Sequence, residues 1–123
     1  MEVRTYQGLR VWQLGMQIAR DVYELSRAFP KHEIYGLTAQ MRRAAVSIPA
    51  NIAEGHARDS TRDYLRHISI AFGSLAELET FLLLVESLGY TVADATRQLL
   101  QQCDQEGKML RTLQKRLKAK LNS

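Results

Sequence analysis

The sequence predicts an all-α fold, an antiparallel up-down-up-down four-helix bundle, and three observations carry that prediction. Apolar residues recur at intervals of three and four through four long segments. Only two prolines and seven glycines punctuate the 123 residues, which favours long helices over many short strands. The links between the periodic segments are short, so successive helices fold back on one another. No internal repeat, low-complexity tract or linker interrupts the pattern. Residues 1–123 therefore read as a single domain, with a basic C-terminal extension over residues 108–123.

Residues 1–8 read as a short extended lead. A first helix is expected from Leu9 to Phe29, with Val11, Leu14, Ile18, Val22, Leu25 and Phe29 on its inner face. Trp12, Met16, Ala19 and Tyr23 add a second apolar line. Pro30 stops the helix, because the residue before a proline is pushed away from helical dihedrals. Lys31 to Glu33 form a link to a second helix over Ile34 to Ala57, with Gly55 a plausible stop. Ser60 caps a third helix over Thr61 to Leu88, with Asp63 completing a capping box. Its apolar arc is broad: Tyr64, Ile68, Phe72, Leu75, Leu78, Phe81, Leu82 and Val85. Gly89 ends it, and Thr91, again with an acid (Asp94) three residues on, caps a fourth helix reaching Leu121. On that last helix Leu110, Leu113, Leu117 and Leu121 continue the line of Leu99 and Cys103 as a narrow seam.

The second helix carries the least ordinary pattern. Pro49 lies deep inside it, where a proline removes one backbone donor and costs about 3 kcal/mol. Ser47 is placed to offer its hydroxyl to a freed carbonyl at the bend. Gln40, Ala44, Ser47, Asn51 and Glu54 form one stripe at helical spacing, beside an apolar stripe of Leu37, Met41, Ala45, Ile48 and Ile52. Polar groups so close to a core line must be hydrogen-bonded or reach water. With helices two and three turning near residues 58–59, Glu77 falls level with Gln40 and within reach of Arg43. Gln40, Ser47, Asn51, Glu54 and Glu77 together make a structural polar stripe that fixes the register between helices.

Ser47-Ile48-Pro49-Ala50-Asn51-Ile52-Ala53-Glu54-Gly55, followed by Ala71-Phe72-Gly73-Ser74-Leu75-Ala76-Glu77-Leu78-Glu79, resembles the four-helix-bundle family named after intervening sequences in 23S ribosomal RNA. The resemblance spans about Leu9 to Tyr90. It implies a homopentamer, and a relation to the accessory protein of diversity-generating retroelements. That relation implies contact with a reverse transcriptase and with RNA or DNA.

Chemistry is scarce in the pattern. A carboxylate-bridged metal pair in a bundle uses Glu-x-x-His on two helices, and no Glu here has His three residues on. His32, His56 and His67 are scattered, so no metal site and no cofactor are expected. Cys103 sits on an apolar stripe as a small buried hydrophobe, not a nucleophile. There is no phosphate-binding glycine loop, dinucleotide fingerprint or zinc spacing, and neither an enzyme nor a small-molecule substrate is expected. The lone cysteine and the lack of an apolar leader after Met1-Glu2-Val3-Arg4 point to a reducing cytoplasm. The longest unbroken apolar run, Phe81 to Val85, is too short to span a membrane.

Charge is distributed unevenly. Residues 1–107 hold eleven basic against thirteen acidic side chains, whereas Lys108, Arg111, Lys115, Arg116, Lys118 and Lys120 close the chain without a single acid. This tail is the candidate nucleic-acid-binding element, with Arg42 and Arg43 as a secondary candidate. No aromatic residue lies within it, so phosphate contact is expected to outweigh base stacking there. A solvated surface helix is the plainer reading of the same residues. Glu79 and Glu86 fall on the apolar arc of helix three, where a carboxylate is either a perturbed acid or is paired, with Arg42 or Arg43 or at a subunit boundary. The apolar arcs of helices one and three exceed what a four-helix monomer covers, so a homo-oligomer is expected. The reading is a non-catalytic, self-associating scaffold that binds nucleic acid or a nucleoprotein. A purely structural or protein-interaction module is the alternative.

Overall fold

The computed structural model describes residues 5–123. Four α-helices carry the fold: α1 (Arg10–Ser26), α2 (Leu37–Ala57), α3 (Thr61–Ser87) and α4 (Ala93–Leu121). No strand occurs among the described residues. Each helix packs on its two neighbours in the cyclic order α1, α2, α3, α4. Cross-helix pairs fix the directions. Going up α1 from Gly15 to Ser26, the partner on α2 falls from Pro49 to Arg42. Between α2 and α3 the partners are Ser47 with Ser74 and Asn51 with His67. Between α3 and α4 they are Ser69 with Gln114 and Leu75 with Gly107. Between α1 and α4 they are Gly15 with Glu106 and Asp21 with Gln102. In every pair one number rises as the other falls, so all four adjacent pairs run antiparallel.

One core is shared by the four helices. Ile18 and Val22 of α1 meet Met41, Ala45, Ile48 and Ile52 of α2, and Ile68, Leu78, Leu82 and Val85 of α3 close over them. Burying each of the larger side chains contributes about 1.5–3 kcal/mol. Pro49 lies inside α2 with its ring buried and no break in the helix. Gly15 of α1 faces it, where a Cβ would meet the Pro49 Cβ in ordinary contact at 3.4 Å but would stand only 2.9 Å from a Glu106 carboxylate oxygen.

Helix ends follow local chemistry. Ser60 accepts from the Asp63 N–H at 3.1 Å, as the capping box predicts. Gly89 adopts φ +76°, a left-handed conformation suited to glycine, and ends the α3 segment. Other ends differ from expectation. The lead is not extended throughout, because Tyr6–Gly8 forms a 3-10 turn capped by Thr5; residues 1–4 lie outside the described residues. α1 stops at Ser26, short of Pro30, in a turn closed by Phe29 N–H to Ser26 O. α2 begins at Leu37 because Glu33 Oε1 accepts the Leu37 N–H at 3.3 Å, leaving Ile34 and Tyr35 exposed. Thr91 is not the cap of α4. Val92 holds that position without a side-chain bond, and the Thr91 hydroxyl turns to the Val92 carbonyl at 3.5 Å. Gly55 does not stop α2; a Cβ there would lie 2.8 Å from His67 Cβ and 3.2 Å from the Tyr64 carbonyl, so glycine is required by the α2–α3 crossing.

α3 is 27 residues long and, by length and composition, apolar enough to cross a membrane, which the unbroken-run criterion did not register. In the bundle it is flanked by α2 and α4. Its outward residues Ile70, Leu83, Leu84 and Leu88 remain exposed, as do Tyr23 of α1 and Val46 of α2.

Candidate functional site

Two polar constructions stand out, one at the α2–α3 crossing and one on α4. At the crossing, Asn51 Nδ2 donates to the Ser47 carbonyl at 2.8 Å and to Ser47 Oγ at 3.0 Å. The Asn51 Oδ1 therefore faces His67 Nδ1 at 3.0 Å, and the imidazole must carry its proton on Nδ1 to satisfy it. Ser47 Oγ also pairs with Ser74 Oγ at 2.8 Å, so the hydroxyl bridges helices and does not serve a carbonyl freed by Pro49 as expected. Glu54 Oε2 lies 3.6 Å from His67 Nδ1. His67 Nε2 is buried without a partner.

Of the expected stripe, the crossing brings together Ser47, Asn51 and, at 3.6 Å from His67, Glu54, along with two residues outside it, Ser74 and His67. The register gave His67 away, because helices turning near residues 58–59 put 66 opposite 51, but it placed 70 opposite 47, one turn short of Ser74. Gln40 and Glu77 do not join it. Both are exposed, and Glu77 forms no ion pair with Arg43 or any other described residue. Both face water, where an ion pair gains little.

On α4 the tail is a continuation of the helix, and Lys108, Arg111, Lys115, Arg116, Lys118 and Lys120 are all exposed on it. Lys108 pairs with Asp104 at 3.3 Å. Lys115, Arg116, Lys118 and Lys120 have no acidic partner among the described residues. Arg111 is the exception to the free surface arrangement. Its guanidinium lies 3.9 Å from the ring centroid of Phe72, on α3. The basic face therefore does include an aromatic ring, supplied by the neighbouring helix. Phe72, Leu75, Gly107, Arg111, Thr112 and Lys115 line a groove of about 430 Å³ between α3 and α4.

Arg42 and Arg43 lie apart from this face, on α2. Arg42 Nε donates to Ser26 Oγ at 2.8 Å and its guanidinium sits 4.7 Å from the Tyr23 centroid, tying α2 to α1. Arg43 is exposed. Neither pairs with Glu79, contrary to one of the expected pairings. Glu79 is half-buried beside Asp104; burial first, and the Asp104 charge second, raise its pKa. Glu86 is also half-buried.

The most perturbed carboxyl is one the sequence reading passed over. Glu106 is 0% exposed, neither of its oxygens has a partner, and burial pushes its pKa up to about 8. It occupies the α4 seam between Cys103 and Leu110, at the spacing where an apolar residue is expected. Gln114, likewise buried on α4, links Arg111 to Ser69. Cys103 is buried and its thiol is pushed up to about 12, by burial first and then by Glu79 and Glu106. No group of three or more His, Cys, Asp or Glu suited to a metal ion occurs among the described residues.

The arrangement thus offers a cationic helix face on α4 with one ordered arginine, and a half-buried hydrogen-bonded crossing between α2 and α3. No curated protein matches the chain. Residues 7–112 match the family described as 23S rRNA-intervening sequence protein, and the chain belongs to that family of four-helix bundles.

Proposed function

We propose that this chain is a non-catalytic, self-associating helical scaffold that binds nucleic acid through the cationic face of α4. The family name supports an RNA-related role. The observation that carries the binding reading is the run of exposed cations from Lys115 to Lys120 with no acidic partner among the described residues. From Lys108 to Lys120 the helix rises about 18 Å, a length over which a duplex presents many phosphates. A nucleoprotein, such as a reverse transcriptase holding its template, presents the same chemistry. Binding of this kind releases counterions, so the logarithm of affinity falls with that of salt at a slope of about −0.9 per duplex phosphate contacted.

The test compares the full chain with a variant in which Lys115, Arg116, Lys118 and Lys120 are all Gln, titrated against duplex DNA and structured RNA at two salt concentrations. Loss of most affinity, together with a shallower salt slope, is the expected result. Undiminished binding by the folded variant moves the interface to Arg42, Arg43 and Arg62. Absence of binding by both proteins leaves the interaction module without nucleic acid.

Self-association is favoured by the exposed apolar residues of α3, Leu83 at 57% and Leu88 at 50%, and by Tyr23 and Val46 on the α1–α2 side. These are two different surfaces, as a repeated head-to-tail contact in a closed ring requires. Light scattering behind gel filtration should give several times 14.0 kDa, about 70 kDa for the pentamer that the family resemblance implies. A monomer at micromolar concentration overturns this part of the proposal.

A further inference from the structure

We infer that the Arg111–Phe72 stack is a platform for an unpaired nucleobase, so that the groove between α3 and α4 takes single-stranded RNA in preference to duplex. The inference rests on the nucleic-acid reading above and names the form of the ligand. Arg111 differs from the other cations of α4 in being held. Its guanidinium lies 3.9 Å from the Phe72 centroid, and Nη1 donates to Gln114 Oε1 at 3.0 Å. Gln114 is buried and is itself fixed from its other end, where Nε2 donates to Ser69 Oγ at 3.3 Å. A chain of three side chains from two helices therefore orients one planar group at the surface. An arginine that served only as a positive charge needs no such support; a lysine-like mobile head suffices for phosphate.

A guanidinium plane backed by an aromatic ring is a surface on which a base stacks, and bases are free to stack only where they are unpaired. The groove beside it is open, about 430 Å³, with Leu75 and Gly107 in its floor. Gly107 brings no side chain to that lining. The electrostatics give the strand a direction. Lys115 lies one turn beyond Arg111 and lines the same groove, whereas Glu79 and Asp104 close its opposite end. Asp104 stands about 10 Å back along α4, paired with Lys108, and Glu79, on α3 at the same end, has no cationic partner among the described residues and repels phosphate. The backbone of a strand whose base rests on Arg111 therefore runs toward Lys115 and Lys118.

The experiment measures fluorescence anisotropy of a short unstructured RNA, alone and annealed to its complement, with the full chain at physiological salt. Arg111→Lys keeps the charge and removes the plane. Phe72→Leu keeps apolar contact and removes the ring. Each is expected to lower single-strand affinity about ten-fold and leave duplex affinity unchanged. Lys118→Gln, outside the stack, should lower both forms alike. Thermal midpoints check folding, and Arg111→Lys, a change at an exposed position, carries the test if Phe72→Leu is unstable. Equal binding of both RNA forms by the unaltered chain, or single-strand affinity indifferent to Arg111→Lys, overturns the platform and leaves phosphate binding standing. No binding of either form overturns both readings.

Discussion

Replacing Glu106 by Gln should make the protein more stable at neutral pH, and the gain should grow with pH. The carboxyl is 0% exposed, its Oε2 faces Gly15 of α1, and the other side chains around Gly15, Ile48 and Pro49 of α2, bring no charge that would favour ionisation. On its own helix Asp104 and Lys108, two residues to either side, are exposed and paired with each other, and Cys103, three residues back, has its thiol raised by burial and by Glu79 and Glu106. Burial raises the Glu106 pKa from 4.5 to about 8. Below the lower value both folded and unfolded chains hold the proton, and Glu106 contributes no pH dependence. Above it the unfolded chain releases the proton while the folded chain retains it, so stability falls until the folded value is passed. Each pH unit in that window removes about 1.4 kcal/mol, which amounts to roughly 3 kcal/mol by pH 7. Gln keeps the shape of the neutral acid and does not titrate. Unfolding entropy scales with chain length, so that difference corresponds to a rise in thermal midpoint on the order of 10 °C for a chain of this size. The assay is thermal unfolding followed by circular dichroism at fixed protein concentration, at several values between about pH 5 and pH 8. The slope of the difference is the readout, because any fixed cost of the Gln amide shifts both ends equally. Parallel curves for the two proteins would refute the reasoning, and would mean that the carboxyl finds water or a partner when ionised.

Three further outcomes follow from the geometry. Asn51→Leu leaves His67 Nδ1 without its acceptor at 3.0 Å and takes a donor from Ser47, so stability should fall by about 1–3 kcal/mol; an unchanged denaturation midpoint would show that the crossing does not depend on this network. Gly55→Ala forces a methyl to within 2.8 Å of His67 Cβ and against the Tyr64 backbone, and should destabilise by about 1–3 kcal/mol, more than Gly73→Ala, where a Cβ meets nothing within 4 Å. Equal effects at the two glycines would contradict the close crossing. Cys103, buried and with its thiol near 12, should resist alkylation in the native protein at mildly alkaline pH and react fully once unfolded; rapid native labelling would show that α4 opens readily there.

The bundle was legible because its evidence is local and repeated. The spacing of apolar residues set four helices, and Ser60 with Asp63 marked the start of α3 through a contact only three residues apart. Thr91 imitated the same signal with Asp94 and was wrong, since neither residue reports where the backbone turns helical. The site was legible where it lay on one helix, at Ser47 and Asn51, and illegible where it depended on two. Phe72 and Arg111 are 39 positions apart, and nothing in the tail announces a ring beneath it. Glu106 failed for a different reason. Its position in the seam between Cys103 and Leu110 was visible, but a glutamate is ordinarily assigned to solvent, and only the absence of a side chain at Gly15 makes room for it inside.

Glu33 accepts the Leu37 N–H with one oxygen and the Tyr90 hydroxyl, at 2.9 Å, with the other, while the Tyr90 ring packs on Phe29 at 5.9 Å. One carboxylate thus clasps the α1–α2 link to the α3–α4 link at a single end of the bundle. At the opposite end the described residues place the short α2–α3 turn, the last residues of α4 and the Tyr6–Gly8 turn, which packs on α1 and α2. Release of Glu33 would free the first turn of α2 and the Tyr90 hydroxyl together, so the two links are coupled. Links far apart in sequence are thereby joined through one side chain, and the backbone amides of both should exchange with solvent as a single unit.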